Sequence, residues 1–154
     1  MDERRRWKRG MAVRREVLGG EHVDRAPRGR FHAEFQDLIT RYAWGEIWTR
    51  QGLPRRTRSL ITLAVMVALD RSDELRLHLR AALRNGVTRA EIKEVLLQMA
   101  VYCGVPAANS AFHVAAEVFA EKGPRGRRTR SRGGSARKRR ASVVAPPRRS
   151  HKPV

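Results

Sequence analysis

Between residues 31 and 120 the apolar side chains recur at helical spacing, and nowhere do they alternate. A half-buried strand needs period-two alternation, whereas a helix presents one face through positions three and four apart. Phe31, Phe35, Leu38, Ile39 and Tyr42 lie on one such face. Leu60 to Leu69 is apolar nearly all round, which predicts a buried helix rather than a surface one. Leu75, Leu79, Ala82 and Leu83 form a further one-faced set, as do Ile92, Val95, Leu96, Met99, Ala100 and Cys103. The expected fold is an all-α, compact bundle of about six helices with no sheet.

The breaks between these patterns carry helix-end chemistry. Gly19-Gly20 stops a charged first helix, and the polar stretch to Arg30, with Pro27 and Gly29, reads as a loop. Gly52 and Pro54 break the chain again, and Pro54 suits the first turn of the next helix. Ser72 is a candidate N-cap, and Asn85-Gly86 is a helix stop. Thr88 and Glu91 form a capping box, in which hydroxyl and carboxylate each satisfy an exposed backbone N–H. Gly104 and Pro106 predict a turn, followed by a last helix over Ala107 to Ala120.

Charge divides the chain in two. Lys and Arg number 34 against 15 Asp and Glu, a net charge of +19. Twelve of those basic residues, and no acidic one, fall between Pro124 and Val154. Residues 1–123 hold the other 22 against all 15 acids, a net of +7. We therefore expect a helical domain over 1–123 and a disordered basic tail over 124–154. The tail lacks apolar residues to offset an ordering cost of about 1–2 kcal/mol per residue. Arginine-rich tails bind phosphate backbones weakly and without sequence preference, so non-specific nucleic-acid contact is one expectation for it. A tail with no function is another. The mixed charges of the first 123 residues show no recognition-helix pattern.

Cys103 stands alone, which excludes an intrachain disulfide, a C-x-x-C pair and a thiolate zinc site. A reducing cytoplasm is the expected compartment. The N-terminus has no secretory apolar core, and no apolar run approaches a membrane span. The small-residue run Ala107, Ala108, Ser110, Ala111, Ala115 and Ala116 predicts close helix contacts, some of them between subunits of a homo-oligomer.

Three stretches carry a family likeness: RYAWGEIWTRQGLPRRTR from Arg41, HLRAALRNGVTRAEIKE from His78, and VLLQMAVYCGVPAAN from Val95. GMAVRREVLGGEHVDRA, from Gly10, extends it. Over residues 10–122 the chain resembles the carboxymuconolactone decarboxylase family. The resemblance implies an alkylhydroperoxidase-like helical fold, assembled as dimers, trimers or a hexamer. It also implies decarboxylation of 4-carboxymuconolactone, a small lactone dicarboxylate, to β-ketoadipate enol-lactone in protocatechuate breakdown. No metal, pyridoxal or thiamine is implied, because the substrate supplies its own electron sink. Thiol peroxidases of the wider superfamily carry C-x-x-C-x-x-x-H. Here those positions hold Arg71, Glu74 and His78, and the peroxidases' partner glutamate falls near Ser59, so thiol chemistry is not expected.

On this reading His78 is the first candidate for the proton donor, with Glu74 one turn earlier to orient or charge the ring. The alternative is a helix histidine bonded to a neighbouring carboxylate. Glu46, between Trp44 and Trp48, is a second candidate acid, because an aromatic surround raises a carboxyl pKa. Equally, it can pair with Arg41 or Arg50. Arg58 is the candidate anchor for a substrate carboxylate, with Arg41 second and Arg80 weaker; a solvated cluster with Arg55 and Arg56 is the alternative. Trp44 joins the substrate-binding candidates. Tyr102 and Asn109 flank the Gly-Val-Pro turn and can donate to an oxyanion, or else pack and cap. Cys103 reads as a buried small residue, His113 as structural or interfacial, and His22 and His32 have no evident partner. Competing functions are nucleic-acid binding through the tail, a thiol-independent antioxidant, and decarboxylation of another small acid.

Overall fold

Each predicted stop is a helix end in the structure, a computed structural model that describes residues 2–26 and 29–121. The helices are α1 (Glu3–Leu18), α2 (Gly20–Asp24), α3 (Arg30–Ile39), α4 (Arg55–Ala68), α5 (Ser72–Arg84), α6 (Arg89–Cys103) and α7 (Val105–Ala120). A π-helical segment, Thr40–Ile47, continues α3, and no strand occurs among the described residues. Gly19, at φ 90°, ends α1, and its N–H donates to the Arg15 carbonyl. The Thr88–Glu91 capping box forms in full at the start of α6.

Several boundaries differ from expectation. The predicted loop after Gly20 contains the short α2, drawn into a turn because Val23 buries its side chain. Pro54 lies just outside α4 rather than in its first turn. Ser72 is the first residue of α5, Arg71 takes the cap position, and no side-chain cap bond forms. α7 begins at Val105, with Pro106 in its first turn, where a missing N–H leaves no hydrogen bond unmade.

Two clusters of buried side chains hold the helices together. Leu63 and Val67 of α4, Leu75 and Leu79 of α5, Ile92 and Leu96 of α6, and Ala111 and Val118 of α7 form the larger. Val13, Val17, Leu18, Val23, Trp44 and Ala81 form the smaller, with Leu77 and Trp48 against it. Helix α5 serves both: Leu75 and Leu79 face one cluster, Leu77 and Ala81 the other.

The predicted burial of Leu60–Leu69 on all sides does not hold within one chain. Leu63 and Val67 are buried, but Ile61, Val65 and Leu69 remain exposed. The apolar face of α3 is likewise uncovered, with Phe31 at 93% exposure and Phe35, Leu38 and Tyr42 about half exposed. Among the described residues no helix is long and apolar enough to cross a membrane. The predicted tail, 124–154, lies outside the described residues.

Candidate active site

His78 falls between the two apolar stripes of α5, because the helical turn places it one residue after Leu77 and one before Leu79. That position half-buries the ring. Burial is the main cause lowering its pKa below the ordinary 6.5, and the positive charge of a protonated His22 lowers it further. Glu74, one turn back, pulls in the opposite direction. His78 is therefore set to be neutral near neutral pH. It gains a proton most readily when negative charge arrives beside it.

His22 is one of the two histidines, with His32, for which the sequence names no partner. It lies on α2, exposed at its surface, yet within electrostatic reach of His78. Its own pKa is lowered by burial first, and then by Arg14, Arg25, Arg80 and Arg84. Val17, Val23 and Ala81 share the smaller cluster, so α1, α2 and α5 pack together there, and the charges of His22, His78 and several arginines act on one another. The only sequence signal for His22 was its place in the GGEHVDRA stretch, where no apolar period marks a helix.

The other candidates are more dispersed. Glu46 is held by the Nε–H of Arg6 on α1, rather than by Arg41 or Arg50. Arg41 is committed to Asp37 at 2.6 Å and to Glu3, donating also to the Glu3 carbonyl. Trp44 is 7% exposed and stacks on Trp48 with ring centroids 5.1 Å apart, a core position. Arg55 pairs with Glu16, Arg56 with Glu91, and Arg80 with Glu121 through two bonds. Among the described residues Arg58 has no carboxylate partner; its Nη2 donates to the Arg50 carbonyl and its buried Nε–H is unmatched. Tyr102 is 77% exposed, and Asn109 and His113 are exposed too. Among the described residues no hydrogen bond or ion pair ties Arg41, Arg58, Tyr102 or Asn109 to His78. Cys103 is a free, half-buried thiol. No group of three His, Cys, Asp or Glu able to hold a metal ion occurs among the described residues.

A profile of the carboxymuconolactone decarboxylase family matches residues 33–117, more than half of the chain. The chain belongs to the carboxymuconolactone decarboxylase family. Among its relatives within that scope is the 4-carboxymuconolactone decarboxylase of Acinetobacter baylyi, 53% identical over 80% of this chain and 93% of that protein. The nitrosuccinic acid decarboxylase npaB of Metarhizium robertsii is 46% identical over 72% of this chain and 79% of that protein. A 4-carboxymuconolactone decarboxylase sequence of Pseudomonas putida is 52% identical over 30% of this chain and all of its own length. The family match spans α3 to α7 and therefore includes His78, Glu74 and Glu46.

Proposed function

We propose that this family member is a carboxy-lyase that converts 4-carboxymuconolactone to β-ketoadipate enol-lactone. The observation that carries the reading is the match to the Acinetobacter baylyi enzyme, which covers nearly all of that protein. In the reaction the bond from the ring γ-carbon to its carboxylate breaks and CO2 leaves. The electron pair moves through the ring double bond onto the lactone carbonyl, forming a dienolate. The α-carbon then takes one proton. A nitro group can hold an electron pair in the same way, so the substrate named for the Metarhizium robertsii relative fits the same scheme.

His78 supplies that proton in our reading. The ring is neutral in the free enzyme because burial opposes its charge. A substrate bearing two carboxylates reverses that balance, and Glu74 steadies the resulting imidazolium. The ring is therefore charged when substrate is bound and recharged from solvent after each turnover. Arg58, which has no carboxylate partner among the described residues, remains available to a substrate carboxylate. Glu46 is the second candidate acid, although Arg6 holds it. Tyr102 and Asn109 reach a pocket only if subunits assemble around it. The uncovered apolar faces of α3 and α6 favour such a homo-oligomer, with the lone Cys103 suited to the cytoplasm.

Purified protein mixed with 4-carboxymuconolactone should release CO2 as the lactone absorbance changes, and His78→Ala should abolish turnover while the helical circular dichroism stays intact. Turnover of nitrosuccinic acid but not of the lactone would instead assign the other substrate.

A further inference from the structure

A cavity of about 450 Å³ lies between α1, α2 and α3, walled by Trp7, Met11, Val23 and Thr40. Its buried polar feature is Arg14. The residue as a whole is 6% exposed, and its Nη1 donates to the Thr40 hydroxyl at 3.3 Å. Its Nε–H is buried and unmatched, and Nη2 donates to nothing among the described residues. Across the cavity, the buried Oε1 of Gln36 on α3 is unmatched as well. The acidic groups that reach the lining are engaged elsewhere: Asp24 by Arg15 and Asp37 by Arg41.

Arginine grips a carboxylate through two parallel N–H bonds, and one edge that offers them is the Nε–Nη2 pair. Thr40 occupies the other end and holds the plane still. Arg58 differs, because its Nη2 already serves the Arg50 carbonyl and breaks the pair. A buried cation without an anion is costly, which makes the unused edge a strong demand for one.

We infer that this cavity is a carboxylate-binding site, with Arg14 as the bidentate anchor for an arm of a small dicarboxylate. The inference rests on the decarboxylase reading for the identity of that arm. It must be the carboxylate that stays, here the acetate arm. Gripping the one that leaves would stabilise the ground state more than the transition state. His22 directly precedes the cavity residue Val23 on α2.

Adipate, a saturated dicarboxylate that cannot react, is the probe. Isothermal titration should show adipate binding to the wild-type protein, with affinity falling about tenfold or more in Arg14→Lys, which keeps the charge but loses the fork. Ala33→Trp, an exposed position on the cavity rim, fills the space without touching the core and should weaken binding as strongly. On the lactone, both variants should raise KM with a smaller change in kcat. Adipate affinity and KM within twofold of wild type in both variants would overturn the assignment and leave Arg14 a packing residue beside ordered water. An Ala33→Trp protein that changes oligomer mass but binds adipate normally would also overturn it, giving the cavity to a second copy of the chain. Arg14-dependent adipate binding in a protein that leaves the lactone untouched would keep the site and refute the decarboxylase reading alone.

Discussion

Gly10→Ala is the sharpest test of how α1 is seated. Glycine inside a helix is a disadvantage of about 0.5–1 kcal/mol against alanine, so substitution at an exposed site would stabilise α1. Gly10, however, is buried against the π segment. A Cβ there would fall far inside the 3.0 Å that real Cβ atoms essentially never cross, against the Thr40 carbonyl oxygen, and 2.9 Å from the Gly45 nitrogen. The reverse contact is as tight, since a Cβ on Gly45 would meet the Arg6 carbonyl oxygen at 2.6 Å. Two backbones touch here, and neither can rotate away as a side chain would. Overpacking ordinarily destabilises by about 1–3 kcal/mol, and rigid neighbours place this case at the upper end. Subtracting the helix gain leaves about 2 kcal/mol. For a domain of this size that is roughly 8 °C in Tm. Thermal melts followed by far-ultraviolet circular dichroism measure it, with Gly52→Ala as the control because a Cβ there meets nothing within 4 Å. A Gly10→Ala protein that melts at or above the wild type would refute the backbone-contact argument.

Burial, capping and core packing lead to three further outcomes. Because burial lowers the His78 pKa, the unfolded chain binds protons there that the folded chain refuses. Stability should be complete above the ordinary value near 6.5 and fall as pH drops below it towards the folded pKa; His22 adds an effect of the same sign. His78→Gln should flatten the Tm–pH curve below about pH 6.5, and an unchanged curve would remove His78 as its cause. Thr88→Ala removes the hydroxyl that accepts the Glu91 N–H at 3.2 Å, and urea titration should show a loss of about 1 kcal/mol with an unchanged m-value. Leu79→Ala, at a fully buried position, should lose about 2–5 kcal/mol in the same titration; a smaller loss would mean that the larger cluster collapses around the gap.

The helical architecture was legible because its causes are local. Apolar spacing reports which residues share a face, and Gly19, Asn85-Gly86, Thr88–Glu91 and Gly104 act on backbone groups within a few positions of themselves. Periodicity also named a core face for α3 and a buried α4, and there it overreached. It records that a face is apolar, not what covers it, and one chain leaves Phe31 and Val65 uncovered. The π segment escaped notice for a related reason. Its wide turn goes with the packing of Gly10 against Gly45, a contact 35 positions apart that no window along the chain contains.

The candidate site divides along the same line. His78 and Glu74 are one turn apart, so the sequence alone determined that they share a face of α5. Family likeness made that face the candidate site. Only tertiary structure decided that the charge of His22 is felt at His78, that Glu46 answers to Arg6, and that Arg14 keeps an unmatched edge in a cavity. Burial and charge pairing act through space, so they became readable only once α1 had docked on the rest of the bundle.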